Sequence, residues 1–350
     1  MKAIGYLAPQ DIQATDSLID IELPTPVAVG RDLLIKVHAV SVNPVDTKVR
    51  AAVAPEAGQH KILGWDAVGE VIAVGEAAQL FKVGDKVWYA GDVTRSGSNA
   101  EFQLVDERIV GLKPQSLSNI EAAALPLTAI TAWELLFDRL GFVPSLSATG
   151  SVKTDDSTKA AEHKILIIGA AGGVGSILTQ LASRLTNAVV IGTASRPESK
   201  QWVKNLGADH VINHKEPLLP QLKALGIDEV THVIALTHTD QYFDQAVDVL
   251  APQGKLAMID DPTTSLDITK LKNKSLSLHW EFMFTRSMYS TKDMEQQHEL
   301  LNKVAELIDS GVIRSTMGEH YGVINSENLK RAHEHIETNR SVGKIVLEAF

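Results

Sequence analysis

An apolar run, Ile165-Leu166-Ile167-Ile168, stops in the cluster Gly169-Ala170-Ala171-Gly172-Gly173-Val174-Gly175 and then continues with helical periodicity to about Leu185. A run of that length with no polar alternation reads as a strand covered on both faces. The same pattern recurs at Ala188–Thr193, Asp209–Ile212, His232–Leu236 and Lys255–Ile259, with helical segments between. Apolar strands alternating with helices predict an α/β fold built on a doubly wound parallel sheet of Rossmann type. On a Gly-x-Gly-x-x-Gly frame, Ala170 takes the first position, Gly172 the second and Gly175 the third, with Gly173 and Val174 between. At the second position a glycine lets backbone approach a pyrophosphate; at the third it lets the helix pack against the strand. The helix N-terminus adds free amides and the positive end of its dipole. In this strand–turn–helix setting the cluster predicts dinucleotide binding.

The tip of the next strand selects the cofactor. An NAD site usually carries an acid there for the ribose hydroxyls. Here the chain reads Gly192-Thr193-Ala194-Ser195-Arg196-Pro197-Glu198-Ser199-Lys200, with no acid at the tip itself. Ser195, Arg196 and Lys200 suit a 2′-phosphate, so the expected cofactor is NADPH.

The first 125 residues have a different character, rich in β-branched residues, glycine and proline. Leu33–Val40, Ala67–Val74, Lys86–Tyr89 and Ala100–Val105 read as short strands of a compact, mostly antiparallel β domain. After Pro114, Ser118 and Glu121 form a capping box, and helical periodicity runs from Ile120 through Leu140. Residues 145–162 are polar and read as a surface loop. A last strand is expected over Leu276–Phe284, a helix over Asp293–Ser310, and a closing strand over Gly343–Leu347.

Composition removes several classes of function. There is no cysteine among the 350 residues, which excludes disulfides, thiolate nucleophiles, iron–sulfur clusters and cysteine-ligated zinc. The net charge of −10 gives no global attraction to nucleic acid or anionic lipid. The N-terminal segment is broken too early for a secretory signal and no apolar run reaches membrane-spanning length, so a cytoplasmic protein is expected. The pairs His333/His335 and His210/His214 lack the spacing and acidic companion of a metal-binding helix, and read as surface or core side chains.

Taken together, Ser41-Val42-Asn43-Pro44-Val45-Asp46, Leu63-Gly64-Trp65-Asp66-Ala67-Val68-Gly69-Glu70-Val71, Val83–Val87, Leu125–Trp133 and the glycine turn resemble the medium-chain dehydrogenase/reductase superfamily over nearly the whole chain. The resemblance implies a GroES-like catalytic domain from 1–127 and 287–350 around a dinucleotide-binding domain of 128–286. Zinc enzymes of the superfamily carry cysteine, histidine and, commonly, cysteine where this chain has Asn43, Trp65 and Leu127, and these three cannot build a zinc site. Asn43 and Asp46 instead match the Asn-x-x-Asp turn of the zinc-independent quinone oxidoreductase branch, which includes zeta-crystallin. That branch uses NADPH to reduce quinones or α,β-unsaturated carbonyls. Many of its members have a tyrosine where this chain has Lys48.

Without a metal, the oxygen that gains charge during such a reduction must meet hydrogen-bond donors. Asn43, Lys48 and Arg50 are the candidate catalytic groups. Asn43 alternatively caps the turn before Pro44. Asp46 falls within the cofactor-binding set, although its short carboxylate also suits local backbone amides. Trp65 either walls the substrate pocket or packs in the core. Thr131, by the resemblance, lies against the nicotinamide. The competing functions are an alcohol or aldehyde dehydrogenase-like enzyme and a non-catalytic NADPH-binding redox sensor. The last strand of the parallel series would leave a sheet edge open, so a homodimer or dimer of dimers through Ser275–Phe284 is expected, burying Trp280, Phe282 and Phe284.

Overall fold

The computed structural model describes residues 1–145 and 162–350, so all but the ends of the expected polar loop 145–162 lies outside the described residues. The chain divides into two compact units, residues 1–130 with 283–350, and residues 131–282.

The second unit is a parallel sheet with helices between its strands. Its strands lie in the order His210–Ile212, Val189–Thr193, Lys164–Ile168, Val230–Ala235, Leu250–Met258, Ser277–Trp280, each pair parallel. That order starts at the centre, runs to one edge and then returns to the other, which is the doubly wound arrangement expected from the alternating pattern. Ile165, Leu166 and Ile167 are fully buried, as a strand covered on both faces requires. The helix Gly173–Leu185 follows directly on the glycine turn.

The first unit is β-rich. One small sheet joins Ile19–Glu22, Lys2–Tyr6 and Lys61–Ile62. A larger one runs Met317–Val323, Lys344–Glu348, Asp32–Val42, Ala67–Val74, Lys86–Tyr89, Val110–Leu112, and Phe102–Asp106 also pairs with Asp32–Val42. The C-terminal strand therefore returns to the N-terminal β domain, with Ile345 opposite Val42 and Glu348 opposite Ala39. This pairing carries Lys344 into the interior beside the Asn43 turn.

Several elements differ from the sequence expectation. The helix foreseen over 120–140 is three pieces: Asn119–Ala123, Pro126–Trp133 and a π-helical turn over Glu134–Arg139. Pro126 has no N–H to continue the first piece and instead opens the second. The Ser118–Glu121 capping box is present, Glu121 Oε2 accepting from Ser118 N at 3.0 Å. The last parallel strand covers only Ser277–Trp280; after Glu281 N donates to Met258 O the chain turns into the short helix Thr285–Met288. The strand Met317–Val323 and the helix Ser326–Glu337 were not foreseen, although Leu329, Ala332, His333 and Ile336 fall at helical spacing and form the buried face of that helix.

Candidate functional site

At the glycine turn, Gly169 has φ +87°, a left-handed conformation that favours glycine. A Cβ on Gly175 would sit 2.3 Å from Gly169 O, so this position is glycine because helix and strand approach so closely. Gly172 is different. A Cβ there would meet nothing nearer than Gly169 O at 3.6 Å, so the fold itself does not demand a glycine. The space beside Gly172 is left open. Gly172 is also the N-cap of the following helix, and no side chain caps it. The first-turn amides of Gly173, Val174 and Gly175 thus lack the usual side-chain acceptor at a helix N-terminus, where an anion is favoured. An open cradle beneath uncapped amides fits a dinucleotide pyrophosphate. Ala170 is buried, its Cβ facing the slot beside Gly192 on the neighbouring strand. Gly169 N donates to Thr193 Oγ1 at 3.1 Å, tying the turn to the tip of that strand.

Ser195, Arg196 and Lys200 lie just past this tip and are all partly exposed. Arg196 Nε stands 3.2 Å from Glu198 Oε1, and Arg196 opens the helix Pro197–Asn205.

In the first unit a buried ionic cluster occupies the Asn-x-x-Asp turn. Asp66 Oδ2 accepts from Ser41 Oγ at 2.8 Å and Asn43 Nδ2 at 2.9 Å, while Oδ1 accepts from Leu127 N at 2.9 Å. Lys344 Nζ lies 3.2 Å from Asp66 Oδ2 and donates to Val42 O at 3.0 Å and to Asn43 Oδ1. Asp46 accepts from Asn43 N at 2.7 Å and Gly64 N at 3.0 Å. Burial raises the Asp46 carboxyl to about 7, partly offset by the hydrogen bond from Asn43 N and the charge of Lys344. Burial also raises the Asp66 carboxyl above its ordinary range.

These contacts correct four expectations. Asn43 does not present its amide to a substrate: it is almost fully buried, its nitrogen bonded to Asp66 and its oxygen to Lys344. Asp46 bonds local backbone amides, the structural alternative, and has no solvent face with which to hold a cofactor. Arg50 is not a substrate partner: it is buried, donating to Gln10 O at 2.6 Å and pairing with Glu337. Trp65 is a core residue rather than a pocket wall, fully buried with its indole N–H donating to Asp92 O and its ring edge-on to Phe284. Lys48 is the one candidate catalytic side chain that remains exposed, on the outer face of the helix Pro44–Ala52. Thr131 is nearly buried on the helix Pro126–Trp133.

The donor set at the three zinc-ligand positions is an amide, an indole and an aliphatic side chain, which does not fit zinc. Among the described residues no group of three or more His, Asp or Glu is arranged to hold a metal ion, and no helix is long and apolar enough to cross a membrane.

Sequence reasoning overlooked a second buried acid pair. Glu134, on the π-helical turn, and Glu281, just past the last parallel strand, are both nearly inaccessible to solvent, with Arg139 Nε 2.8 Å from Glu281 Oε2. Burial and the neighbouring Glu134 raise the Glu281 carboxyl to about 9. The two residues stand 147 positions apart by number (281 − 134), and no local pattern announces their meeting.

Residues 30–115 match the alcohol dehydrogenase GroES-like domain family, and residues 206–347 match the zinc-binding dehydrogenase family. The chain is 39% identical over 348 residues to the zinc-type alcohol dehydrogenase-like protein SAS2087 of Staphylococcus aureus, covering 99% of each. It is 27% identical to the mitochondrial NAD(P)H oxidoreductase RTN4IP1 of Danio rerio, covering 90% of this chain and 83% of that one. A crystal structure of a Rhizobium etli CFN 42 protein, described as a candidate zinc-dependent alcohol dehydrogenase, superposes with a TM-score of 0.92 at 49% identity, covering 100% of this chain and 98% of that one. The Escherichia coli quinone oxidoreductase solved with NADPH shares the fold, with a TM-score of 0.80 at 24% identity over 99% of this chain and 100% of the other.

Proposed function

From the premise that the chain belongs to the medium-chain dehydrogenase/reductase superfamily and is an NAD(P)-dependent oxidoreductase, we propose that it uses NADPH to reduce a quinone or an α,β-unsaturated carbonyl without zinc. The observation that carries this reading is the donor set of Asn43, Trp65 and Leu127, none of them a zinc ligand in a chain that has no cysteine. The relatives named for zinc-type alcohol dehydrogenase are similar to this chain in sequence, and these three residues argue that such a name does not carry metal chemistry to it. Oxidising an alcohol needs its hydroxyl proton removed, commonly with help from a metal or a strong base. Reducing a quinone or enone needs only a hydride and donors for the oxygen that becomes negative.

When bound, the nicotinamide supplies the hydride. The open space at Gly172 and the uncapped amides of the helix Gly173–Leu185 receive the pyrophosphate. Arg196 and Lys200, with Ser195, receive the 2′-phosphate. Lys48 is the side chain we assign to the developing oxyanion, because it is the exposed member of the three candidates while Asn43 and Arg50 are buried. Its ammonium offers a charge-assisted hydrogen bond, and the proton that completes the hydroquinone or saturated carbonyl comes from this group or from water. The buried Asp46–Asp66–Lys344 cluster fixes the turn on which Lys48 is carried. Thr131 is retained as a nicotinamide neighbour on the family resemblance.

Steady-state NADPH oxidation with a panel of quinones, enals, aldehydes and alcohols, run with and without a chelator, tests the reading. Chelator-insensitive turnover of quinones or enals is expected. Turnover confined to alcohols or aldehydes, lost on chelation, would overturn it.

A further inference from the structure

Beyond the tip residues, a second set of basic groups gathers at the C-terminal rim of the parallel sheet. Ala194 N donates to Ile212 O at 2.9 Å, and Thr193 lies opposite Ile212, so the loops after these two strands leave the sheet side by side. One carries Arg196 and the other carries His214 and Lys215. A third loop, after Val230–Ala235, ends in His238, which holds a left-handed backbone with φ 50° and ψ 41°. For a residue other than glycine that conformation is uncommon and marks a turn that its surroundings impose. His238 is exposed, and Thr237 Oγ1 lies 2.6 Å from its Nδ1.

His214 sits among these groups. Its ring stands edge-on to Tyr242, centroids 6.4 Å apart, and its Nδ1 is buried without a hydrogen-bond partner. Burial, followed by the positive charges of Lys215, His238 and Arg196, holds this imidazole below its ordinary pKa. Its charged neighbours are Lys215 on its own loop, His238 on the third, and Arg196, itself paired with Glu198, on the first. The Tyr242 ring packs on it from the helix Thr239–Val249, whose first turn carries Asp240 and whose Thr239 N donates to Asp260. The carboxylate nearest in sequence, Glu216, is engaged by Asn213 Nδ2. A neutral imidazole amid positive charge is poised to gain a proton when an anion arrives.

We propose that His214, with His238, is a specificity-determining part of the 2′-phosphate seat, so that NADPH binding takes up a proton and NADH binding does not. The proposal rests on the NADPH reading and adds a proton linkage to the same site. A dianion beside Arg196 and His214 offsets the repulsion that keeps the imidazole neutral, and linkage then requires that added protons tighten the anion in return. NADH has no 2′-phosphate and leaves the imidazole as it was. The phosphate ionises with a second pKa of about 6, which weakens NADPH binding at low pH whatever protein groups surround it. The histidine contribution is therefore the difference between wild type and a variant that cannot titrate.

The experiment is calorimetric titration of the wild-type protein with NADPH and with NADH at pH 7, in two buffers of different ionisation enthalpy. Binding constants for both cofactors are then taken at pH 6 and pH 8 for wild type, His214→Gln and His238→Gln. Net proton uptake with NADPH alone is expected in wild type. Between pH 8 and pH 6 the preference for NADPH should improve in wild type relative to His214→Gln, by up to about tenfold for each unit that phosphate raises the imidazole pKa and by less where that pKa stays near or below 6. NADH affinity should be unchanged in either variant, which also shows that the fold is intact. If NADPH is preferred but wild type takes up no more protons with it than with NADH, the linkage is overturned and the cofactor reading stands. A protein that shows no NADPH preference at either pH overturns both.

Discussion

Lys344 Nζ stands 3.2 Å from Asp66 Oδ2 with both side chains closed off from water, and this contact joins the C-terminal strand to the Asn43 turn. Removing the ammonium leaves Asp66 and Asp46 facing each other in the interior, where an uncompensated charge costs roughly 3–5 kcal/mol. Lys344→Met is therefore expected to lower the urea midpoint severely, or to yield protein that does not accumulate folded. Restoring neutrality with Asp66→Asn in the same chain should recover part of the loss. Full stability in Lys344→Met alone would show that the carboxyls are held neutral and need no partner.

The parallel sheet was legible in the sequence because its signal is local: apolar runs, one glycine cluster, and a strand tip without an acid. Gly175 and the Ser118–Glu121 box could be placed from neighbours only a few positions away. Asn43, Arg50 and Trp65 could not be, because what decides their roles lies far along the chain. Lys344 reaches Asn43 across 301 positions and Glu337 reaches Arg50 across 287. A polar residue beside a family-like turn looks available until its buried partners are known. His214 reads in the sequence as a surface or core side chain, and the residues near it leave three separate strands of the sheet, so no spacing along the chain reveals them.

Lys48 and Asn43 separate chemistry from structure. Lys48→Ala removes an exposed donor, and loss of one such donor to a developing oxyanion costs roughly a hundredfold to a thousandfold in kcat in known cases. A fall of at least tenfold in kcat with a quinone is expected, with an unchanged thermal midpoint. Asn43→Ala should instead lower the midpoint, because it strips partners from Asp66 and Lys344. Unaltered turnover in Lys48→Ala would remove the lysine from the mechanism.

Arg196→Ala should weaken NADPH and spare NADH. A hydrogen bond to a charged group contributes about 1.5–3 kcal/mol, and each 1.4 kcal/mol is about tenfold. The expected loss is roughly tenfold to a hundredfold in NADPH affinity, read by fluorescence titration. Equal losses for both cofactors would place Arg196 away from the phosphate.

Glu281 makes stability depend on pH in a stated direction. Its carboxyl rises from 4.5 to about 9 on folding, chiefly through burial and then through Glu134. The folded state thus binds the proton more tightly than the unfolded chain does. The favourable contribution is complete below the unfolded value and drains away as pH climbs from about 4.5 through 9. Glu281→Gln keeps the shape and cannot ionise. Urea unfolding at a series of pH values should show wild type losing stability across that window more steeply than the variant. Parallel curves would show that ionisation of Glu281 makes no difference to stability.

Trp280 and Phe282 are about half exposed, at 50% and 48%, beside the strand Ser277–Trp280 that ends the parallel sheet. Phe284, expected at the same surface, is buried within its own unit and edge-on to Trp65, so it takes no part. An edge strand flanked by large apolar side chains is a hazard if left unpaired. A two-fold axis beside Ser277–Trp280 would pair the strand with its copy and cover both aromatics in one isologous contact. Light scattering should give a mass near twice 37.9 kDa or a higher even multiple. Phe282→Lys, which sets like charges against each other across the axis, should shift the mass toward one chain without lowering NADPH affinity. A wild-type protein that stays monomeric at micromolar concentration would show that this edge is left unpaired in solution.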